Sequence, residues 1–144
     1  MIVLDTDVLS IVQQARGETY DRLANRLDAA GAGGVYVTIV SLEEQMRGWL
    51  AYIARAKRIA DQILAYERLQ AFLDDYRLRP ILPFDDHAAA VYQRLRKQNC
   101  RIGTMDLKIA AIVLAHDAIL LSRNLADFRR VAGLSVEDWT IPVR

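Results

Sequence analysis

The sequence is poor in several residue types that would define its chemistry. Its 144 residues include one cysteine, Cys100, three prolines and two histidines. A single cysteine excludes an internal disulfide and fits the reducing cytoplasm. His87 and His116 stand alone on predicted helices, so neither a zinc site nor a histidine-based catalytic triad is expected. The formal net charge is only +1, which argues against nucleic-acid binding through bulk positive charge.

Long hydrophobic runs are also missing, although hydrophobic residues make up 53% of the chain. No stretch reaches the length of a membrane-spanning helix. The N-terminus has no basic segment followed by a long apolar one, so no signal peptide is predicted. We therefore expect a cytoplasmic protein that does not enter a membrane. The length predicts a single domain over residues 1–144.

Short apolar runs alternate with amphipathic segments along the chain. The runs predict strands at Ile2–Leu4, Val35–Thr38 and Ile119–Leu121, with weaker candidates at 81–82 and 136–139. Helices are predicted at about 7–14, 19–30, 41–52, 59–76, 85–99, 104–116 and 124–128, and a turn at Gly31, Gly33 and Gly34. This alternation predicts an α/β domain with a mostly parallel sheet and right-handed crossovers.

An acid ends the first predicted strand. Asp5 directly follows an apolar run typical of a strand buried on both faces, and Asp7 lies two residues further on. Ligands of open α/β sheets bind beyond the carboxyl ends of the strands. A carboxylate buried there is costly unless a positive charge joins it, so Asp5 is a candidate metal ligand. The alternative is that Asp5, Thr6 or Asp7 only caps the next helix.

Two further segments place acids in the first turn of a helix. Adjacent helical side chains point about 100° apart, so at most one of Glu43 and Glu44 is expected to face the site. The alternative is a capping box in which Glu44 reaches back to Ser41 at the helix start. Asp106 begins a helix that is apolar nearly all round. The helix dipole alone would favour an acid there, but an acid on a buried helix favours a function.

Polar residues follow the third strand as well. Ser122 and Asn124 come just after it, and Asp127 lies three residues beyond Asn124, where Asn124 could instead cap a short helix. Parallel strands bring these ends to one edge, where several carboxylates would repel and raise each other's pKa. A divalent cation removes that conflict, and oxygen-only ligands favour Mg²⁺ or Mn²⁺ over zinc. Such a site supports phosphodiester hydrolysis.

Four segments, in this order, resemble PIN-domain proteins, and most closely the VapC-type toxin ribonucleases of bacterial toxin–antitoxin pairs. The segments are MIVLDTD at 1–7, SLEEQMRG at 41–48, IGTMDLKIAA at 102–111 and LSRNLADFRRVAGLSVEDW at 121–139. The resemblance implies a three-layer α/β/α fold with a central, mostly parallel sheet and a protruding pair of helices. It also implies a Mg²⁺- or Mn²⁺-dependent endoribonuclease that hydrolyses RNA.

The resemblance also implies a set of site residues. Asp5, Glu44 and Asp106 match the first three acids of the family and are the implied metal ligands. Glu44 is selected over Glu43 because it lies four residues before Gly48.

The fourth acid of the family is matched less directly. Many members carry Asp where this chain has Asn124, and others depend on an acid three residues later, which is Asp127 here. Thr6 and Ser122 match hydroxyl positions near the scissile phosphate. Asp7 is expected to support the site without binding the metal by itself.

Two kinds of partner are implied by the same resemblance, a cognate antitoxin protein and a second copy of the chain in a homodimer. The amphipathic region from Trp49 to Tyr76 could serve either one, or could simply pack against the core. Basic side chains flank the acids and could guide RNA by phosphate contacts or form a solvated face. They are Arg94, Arg96, Lys97, Arg101, Arg123, Arg129 and Arg130.

Two other functions fit part of the pattern. The chain could be a non-catalytic binding module of the same fold, with its acids serving only as helix caps. It could also be a haloacid-dehalogenase-like phosphatase that uses Asp5 as nucleophile, Asp7 as acid, and Asp85 and Asp86 for its metal. The Gly-Thr that usually follows the Asp-x-Asp pair of such phosphatases is absent.

Overall fold

The structure is a computed structural model that describes residues 1–31 and 34–143. Its strands are β1 (Ile2–Leu4), β2 (Val35–Thr38), β3 (Ile81–Leu82), β4 (Ile119–Leu121) and β5 (Ser135–Glu137). Its helices are α1 (Thr6–Gln14), α2 (Glu18–Ala29), α3 (Ile39–Arg55), α4 (Ile59–Tyr76), α5 (Asp86–Lys97), α6 (Thr104–Ala115) and α7 (Leu125–Phe128). The predicted alternation of strands and helices is confirmed.

Within the described ranges the strands form one five-stranded sheet in the order β3-β2-β1-β4-β5, and every pairing is parallel. The chain builds outward from β1 to β2 and β3 on one side, and then returns to place β4 on the other side of β1. The strand order therefore reverses between β1 and β4. Open α/β sheets bind ligands at such a switch point, beyond the carboxyl ends of the strands.

Helices cover both faces of the sheet and form a separate core on each side. Successive side chains of β1 point to opposite faces, so the strand contributes to both cores. Ile2 and Leu4 pack into one core with α1, α2 and α4, where Trp139 also lies. Val3 packs into the other with α5, α6 and Phe128. Helix α6 runs through the second core, and its residues 109–113 are almost completely buried. This is the predicted three-layer arrangement with an apolar, central sixth helix.

Helix α3 begins two residues earlier than the sequence predicted. Thr38, the last residue of β2, is its N-cap and accepts a hydrogen bond from the Ser41 backbone N–H at 3.1 Å. The expected start at Ser41, and the capping box with Glu44, are therefore wrong. An N-cap at Thr38 places Ser41 inside the first turn, on the same face as Glu44 three residues later.

Helices α3 and α4 form a pair whose inner side is part of the core and whose outer side is exposed. Trp49, Phe72 and Tyr76 stack against one another, with ring centroids 6.1 Å and 4.9 Å apart. Large apolar side chains on the outer side lie open to solvent, among them Leu50, Ile59, Ile63 and Tyr66. The core-packing interpretation is confirmed for the inner side, whereas the role of the outer side as a partner surface stays a prediction.

Smaller predictions had mixed outcomes. The predicted glycine turn is partly described: Gly31 and Gly34 have φ of +56° and +127°, a region open mainly to glycine, while Gly33 lies outside the described residues. The last strand was predicted at 136–139 but spans 135–137. Among the described residues, no helix is long and apolar enough to cross a membrane.

Candidate active site

Two strand ends meet directly at the switch point between β1 and β4. Asp5, just after β1, is 5% exposed, and its carboxylate accepts a hydrogen bond of 2.7 Å from the Ser122 hydroxyl, just after β4. The Asp5 backbone N–H also donates to the carbonyl of Leu121 at 2.9 Å. Asp5 occupies the N-cap position of α1 but makes no side-chain cap hydrogen bond. The capping interpretation of Asp5 is therefore wrong, and its carboxylate faces the sheet edge.

Asp7 joins α1 to the loop after β4. One carboxylate oxygen accepts a hydrogen bond from the backbone N–H of Val8 at 2.7 Å, and the other accepts one from the backbone N–H of Arg123 at 3.1 Å. Asp7 therefore fixes the loop that carries Ser122 and Asn124. This geometry suits the supporting role that the sequence predicted.

Glu44 faces the site, whereas Glu43 does not. The Thr6 hydroxyl lies 2.8 Å from a Glu44 carboxylate oxygen and 2.9 Å from the Ser41 hydroxyl. A hydroxyl carries one proton, so Thr6 donates to the carboxylate and accepts from Ser41. Glu43 instead pairs with Arg47 one turn later, and its side chain is 42% exposed. Helical spacing predicted that only one of the two glutamates would face inward.

Asp106 lies in the first turn of α6, whose N-cap is Gly103. Its side chain is half-buried between the solvent and the apolar helix. Burial raises the pKa of the Asp106 carboxyl, and the negative charges of Glu44, Asp127 and Asp7 raise it further. Three acids from separate parts of the chain therefore act electrostatically on Asp106 at this edge.

Asn124 and Asp127 lie at one end of the site and are hydrogen-bonded to each other. The Asn124 side chain caps α7 by accepting from the Asp127 backbone N–H at 3.4 Å, and its amide donates to the Asp127 carboxylate at 3.0 Å. The cap that the sequence offered as an alternative is therefore present. It leaves Asp127 close enough to Asp106 for their charges to interact.

Asp5 is the most strongly perturbed acid of the group. Burial raises its pKa to about 7, the charges of Asp7 and Asp106 add to the rise, and hydrogen bonds from Ser122 and the Thr6 backbone oppose it. Among the described residues, no Lys or Arg lies within ion-pairing distance of Asp5, Asp7, Glu44 or Asp106. The carboxylates are therefore concentrated without a compensating cation from the protein.

The donor set fits a hard divalent cation in its chemistry. Within 1–31 and 34–143, no three Asp, Glu, His or Cys side chains already form a cage that could hold a metal ion. Mg²⁺ does not need such a cage, because it retains several waters and is usually held by one or two carboxylates. Uncompensated, mutually repelling carboxylates with oxygen-only partners are what such an ion would relieve.

A polar network behind Glu44 was missed from the sequence. Gln13 of α1 and Gln45 of α3 exchange amide hydrogen bonds of 3.2 and 2.8 Å, and the hydroxyl of Tyr76 donates to Gln45 at 2.9 Å. Gln13 also donates to Asp75, whose pKa is lowered mainly by its hydrogen bonds from Arg79. The network ties together the helices that present Thr6 and Glu44. The sequence signal that could have revealed this network is that its residues are polar but lie on helix faces that are otherwise apolar.

The phosphatase interpretation is not supported by the second acid pair. Asp85 is the N-cap of α5 and accepts from the Ala88 backbone N–H at 3.0 Å. It follows β3, which is an edge strand separated from β1 by β2. Asp85 therefore serves a helix and does not adjoin Asp5 across neighbouring strands.

The fold and the site together define a class of α/β protein. In this class, Asp and Glu side chains line the edge of the sheet at the carboxyl ends of its strands, at the switch point. A model of the PIN domain family matches residues 2–134. The chain belongs to the PIN domain family, as its resemblance predicted.

Similar proteins fit this assignment. The chain is 29% identical over 140 residues to "Ribonuclease VapC1" of Rickettsia felis, covering 94% of this chain and 93% of that protein. It is 28% identical over 132 residues to "Toxin FitB" of Neisseria gonorrhoeae, covering 89% and 91%. The fold is shared with VapBC2 of Rickettsia felis, solved bound to a DNA fragment from its promoter, with a TM-score of 0.72, 24% identity and coverage of 96% and 99%.

Proposed function

We propose that this protein is a VapC-type toxin that hydrolyses RNA phosphodiester bonds with Mg²⁺ or Mn²⁺. The observation that carries the proposal is the contact between Asp5 and Ser122 at the switch point. Asp7 and Asp106 lie close enough for their charges to act on Asp5, and among the described residues no Lys or Arg pairs with Asp5, Asp7, Glu44 or Asp106. The names of similar proteins, which include a ribonuclease and a toxin, point in the same direction.

Each residue then has a distinct task. Asp5, Glu44 and Asp106 would hold the ion, with Asp127 as the fourth acid. When bound, the ion supplies charge stabilisation at the phosphoryl group and an activated water. Ser122 orients Asp5, and Thr6 orients Glu44 through the hydrogen bonds described above.

Three more side chains set the shape of this edge. Ser41 supports Thr6, and Asp7 holds the loop after β4 in place. Asn124 fixes the Asp127 side chain through its amide. A phosphate oxygen approaching this edge would otherwise meet a row of negative charges, and a cation is what allows it to bind.

Paired glutamate variants test the proposal. We expect Glu44→Gln to slow Mn²⁺-dependent RNA cleavage by about a hundredfold, because outer partners of a metal site alone cost 10–100-fold and Glu44 lies nearer. Glu43→Gln, its neighbour, should stay within about twofold, since Glu43 pairs with Arg47 on the exposed side. Initial rates on a labelled RNA, with EDTA as a blank, give the measurement. Equal rates for the two variants would contradict the proposed site.

We also propose that the chain binds a cognate antitoxin and forms a homodimer through its α3 and α4 helices. The exposed apolar side chains of the pair support a protein-covered surface. We also propose that residues 1–144 form a single domain.

Co-expression tests the antitoxin. Expression of the chain alone should arrest growth, and co-expression of the small antitoxin that we expect the neighbouring reading frame to encode should restore growth. An Asp5→Asn chain should cause no arrest but should still co-purify with that small protein. Growth arrest by the Asp5→Asn chain as strong as that by the parent would show that toxicity does not depend on this site.

A further inference from the structure

The loop between α5 and α6 separates two adjoining cavities. One, of about 390 Å³, is lined by residues that include Gln98 and Arg130, and the other, of about 340 Å³, by residues that include Arg96 and Thr104. Both are lined by Asn99, Cys100 and Arg101. We call the two cavities together, residues 96–104 with Arg130, the loop groove.

The loop groove is positively charged. Arg96, Arg101 and Arg130 all have exposed side chains. In the part of the chain that the structure describes, Arg96 and Arg101 form no ion pair, and no Asp or Glu lines either cavity. The last turn of α5 also carries Arg94 and Lys97, which line neither cavity. On a chain whose net charge is +1, this concentration of positive charge is local.

The loop groove adjoins the acids of the candidate active site. The Arg130 guanidinium donates to the Arg101 backbone carbonyl at 3.1 Å and lies 4.0 Å from the Asp127 carboxylate. On the other side, Thr104 lines the groove and begins α6, two residues before Asp106. A ligand that reaches from the acids into the groove would therefore pass from a metal-binding edge to a row of guanidinium groups.

We propose that the loop groove binds the phosphodiester backbone of the RNA strand next to the bond that is cut. This inference rests on the proposed function. A planar guanidinium presents paired N–H donors that match phosphate oxygens. The acids repel phosphate, so at the acidic site only the phosphate group that contacts the metal ion can bind. Because the groove contacts would go to the backbone, they would raise affinity for any sequence and carry little base preference.

The test measures binding without cleavage. A labelled single-stranded RNA is titrated in EDTA by fluorescence anisotropy with the parent, with the double variant Arg96→Gln/Arg101→Gln, and with Arg58→Gln as a control. Arg58 is exposed at the start of α4 and lines neither cavity. We expect the double variant to bind on the order of tenfold more weakly, with the salt slope reduced by about 1.4 because each lost single-strand phosphate contact removes about 0.7. Arg58→Gln should match the parent.

Cleavage of the same RNA in Mn²⁺ is followed in parallel, so that the two proposals can fail separately. We expect the double variant to raise KM on the order of tenfold and to leave kcat within about twofold, since neither arginine is part of the acidic site. A parent that cleaves RNA while the double variant keeps its affinity and salt slope would overturn the groove inference alone. A parent that cuts no RNA in Mn²⁺ would overturn the proposed function. Equal losses with duplex DNA and single-stranded RNA would overturn the assignment to an RNA strand.

Discussion

Asp5→Asn is expected to reduce metal-dependent RNA cleavage by more than about a hundredfold while leaving the fold intact. Asp5 is the buried acid at the junction of β1 and β4, and even outer partners of a metal site cost 10–100-fold when removed. The neutral amide keeps an oxygen that can accept from the Ser122 hydroxyl, so packing is preserved. Its loss of charge removes a buried, uncompensated carboxylate, so the melting temperature without metal at pH 7.5 should rise by at least about 2 °C.

A matched control separates this effect from a general loss of negative charge. Asp28 near the end of α2 is exposed, and Asp28→Asn removes the same charge from the surface. It should leave both cleavage and melting temperature unchanged within error. Cleavage by the Asp5→Asn protein at the parental rate would sink the assignment of Asp5 to the metal site.

Stability without metal is expected to fall as the pH rises, and Asp5 is the main cause. Its pKa in the folded protein is raised from 3.8 to about 7, so between those values the folded state holds a proton that the unfolded chain has released. The stabilisation is therefore complete below about pH 4 and is lost as the pH rises through 7. The free energy of unfolding should drop by about 3 kcal/mol between pH 5 and pH 8, and urea unfolding in EDTA measures it.

The Asp5→Asn protein provides the control, because it retains every other titrating group. The difference in unfolding free energy between parent and variant should grow with pH and favour the variant above pH 7. Added Mn²⁺ should reverse the sign at pH 8, because an ion that binds only the folded parent stabilises it by mass action. A difference that does not change with pH would mean that Asp5 titrates normally.

The ends of the buried strands could be predicted from sequence. Each of these strands is an apolar run, and the first polar residue after the run marks where the strand ends. Asp5, Ser122 and Asn124 were placed correctly at the sheet edge for that reason. The start of α3 was misplaced because Ser41 is by type at least as good a cap as Thr38. Only the sheet decides between them, since β2 ends at Thr38.

The contacts within the site could not be predicted, because they depend on which strands are neighbours. Ser122 reaches Asp5 only since β4 lies beside β1. An alternative parallel order would have left both residues at the same edge but several ångströms apart, as neighbouring strands are spaced by about 4.8 Å. The bond from Thr6 to Glu44 likewise depends on how α1 meets α3, which the 3.6-residue period does not specify.

The order in which the strands enter the sheet bears on when the acid-lined edge can form during synthesis. Strand β1 is synthesised before its neighbour β4, which follows more than a hundred residues later. A chain still emerging from the ribosome therefore has Asp5 without Ser122 beside it, and Asp7 without the loop it holds. The acid-lined edge can therefore form only after β4 and the loop that follows it have been synthesised.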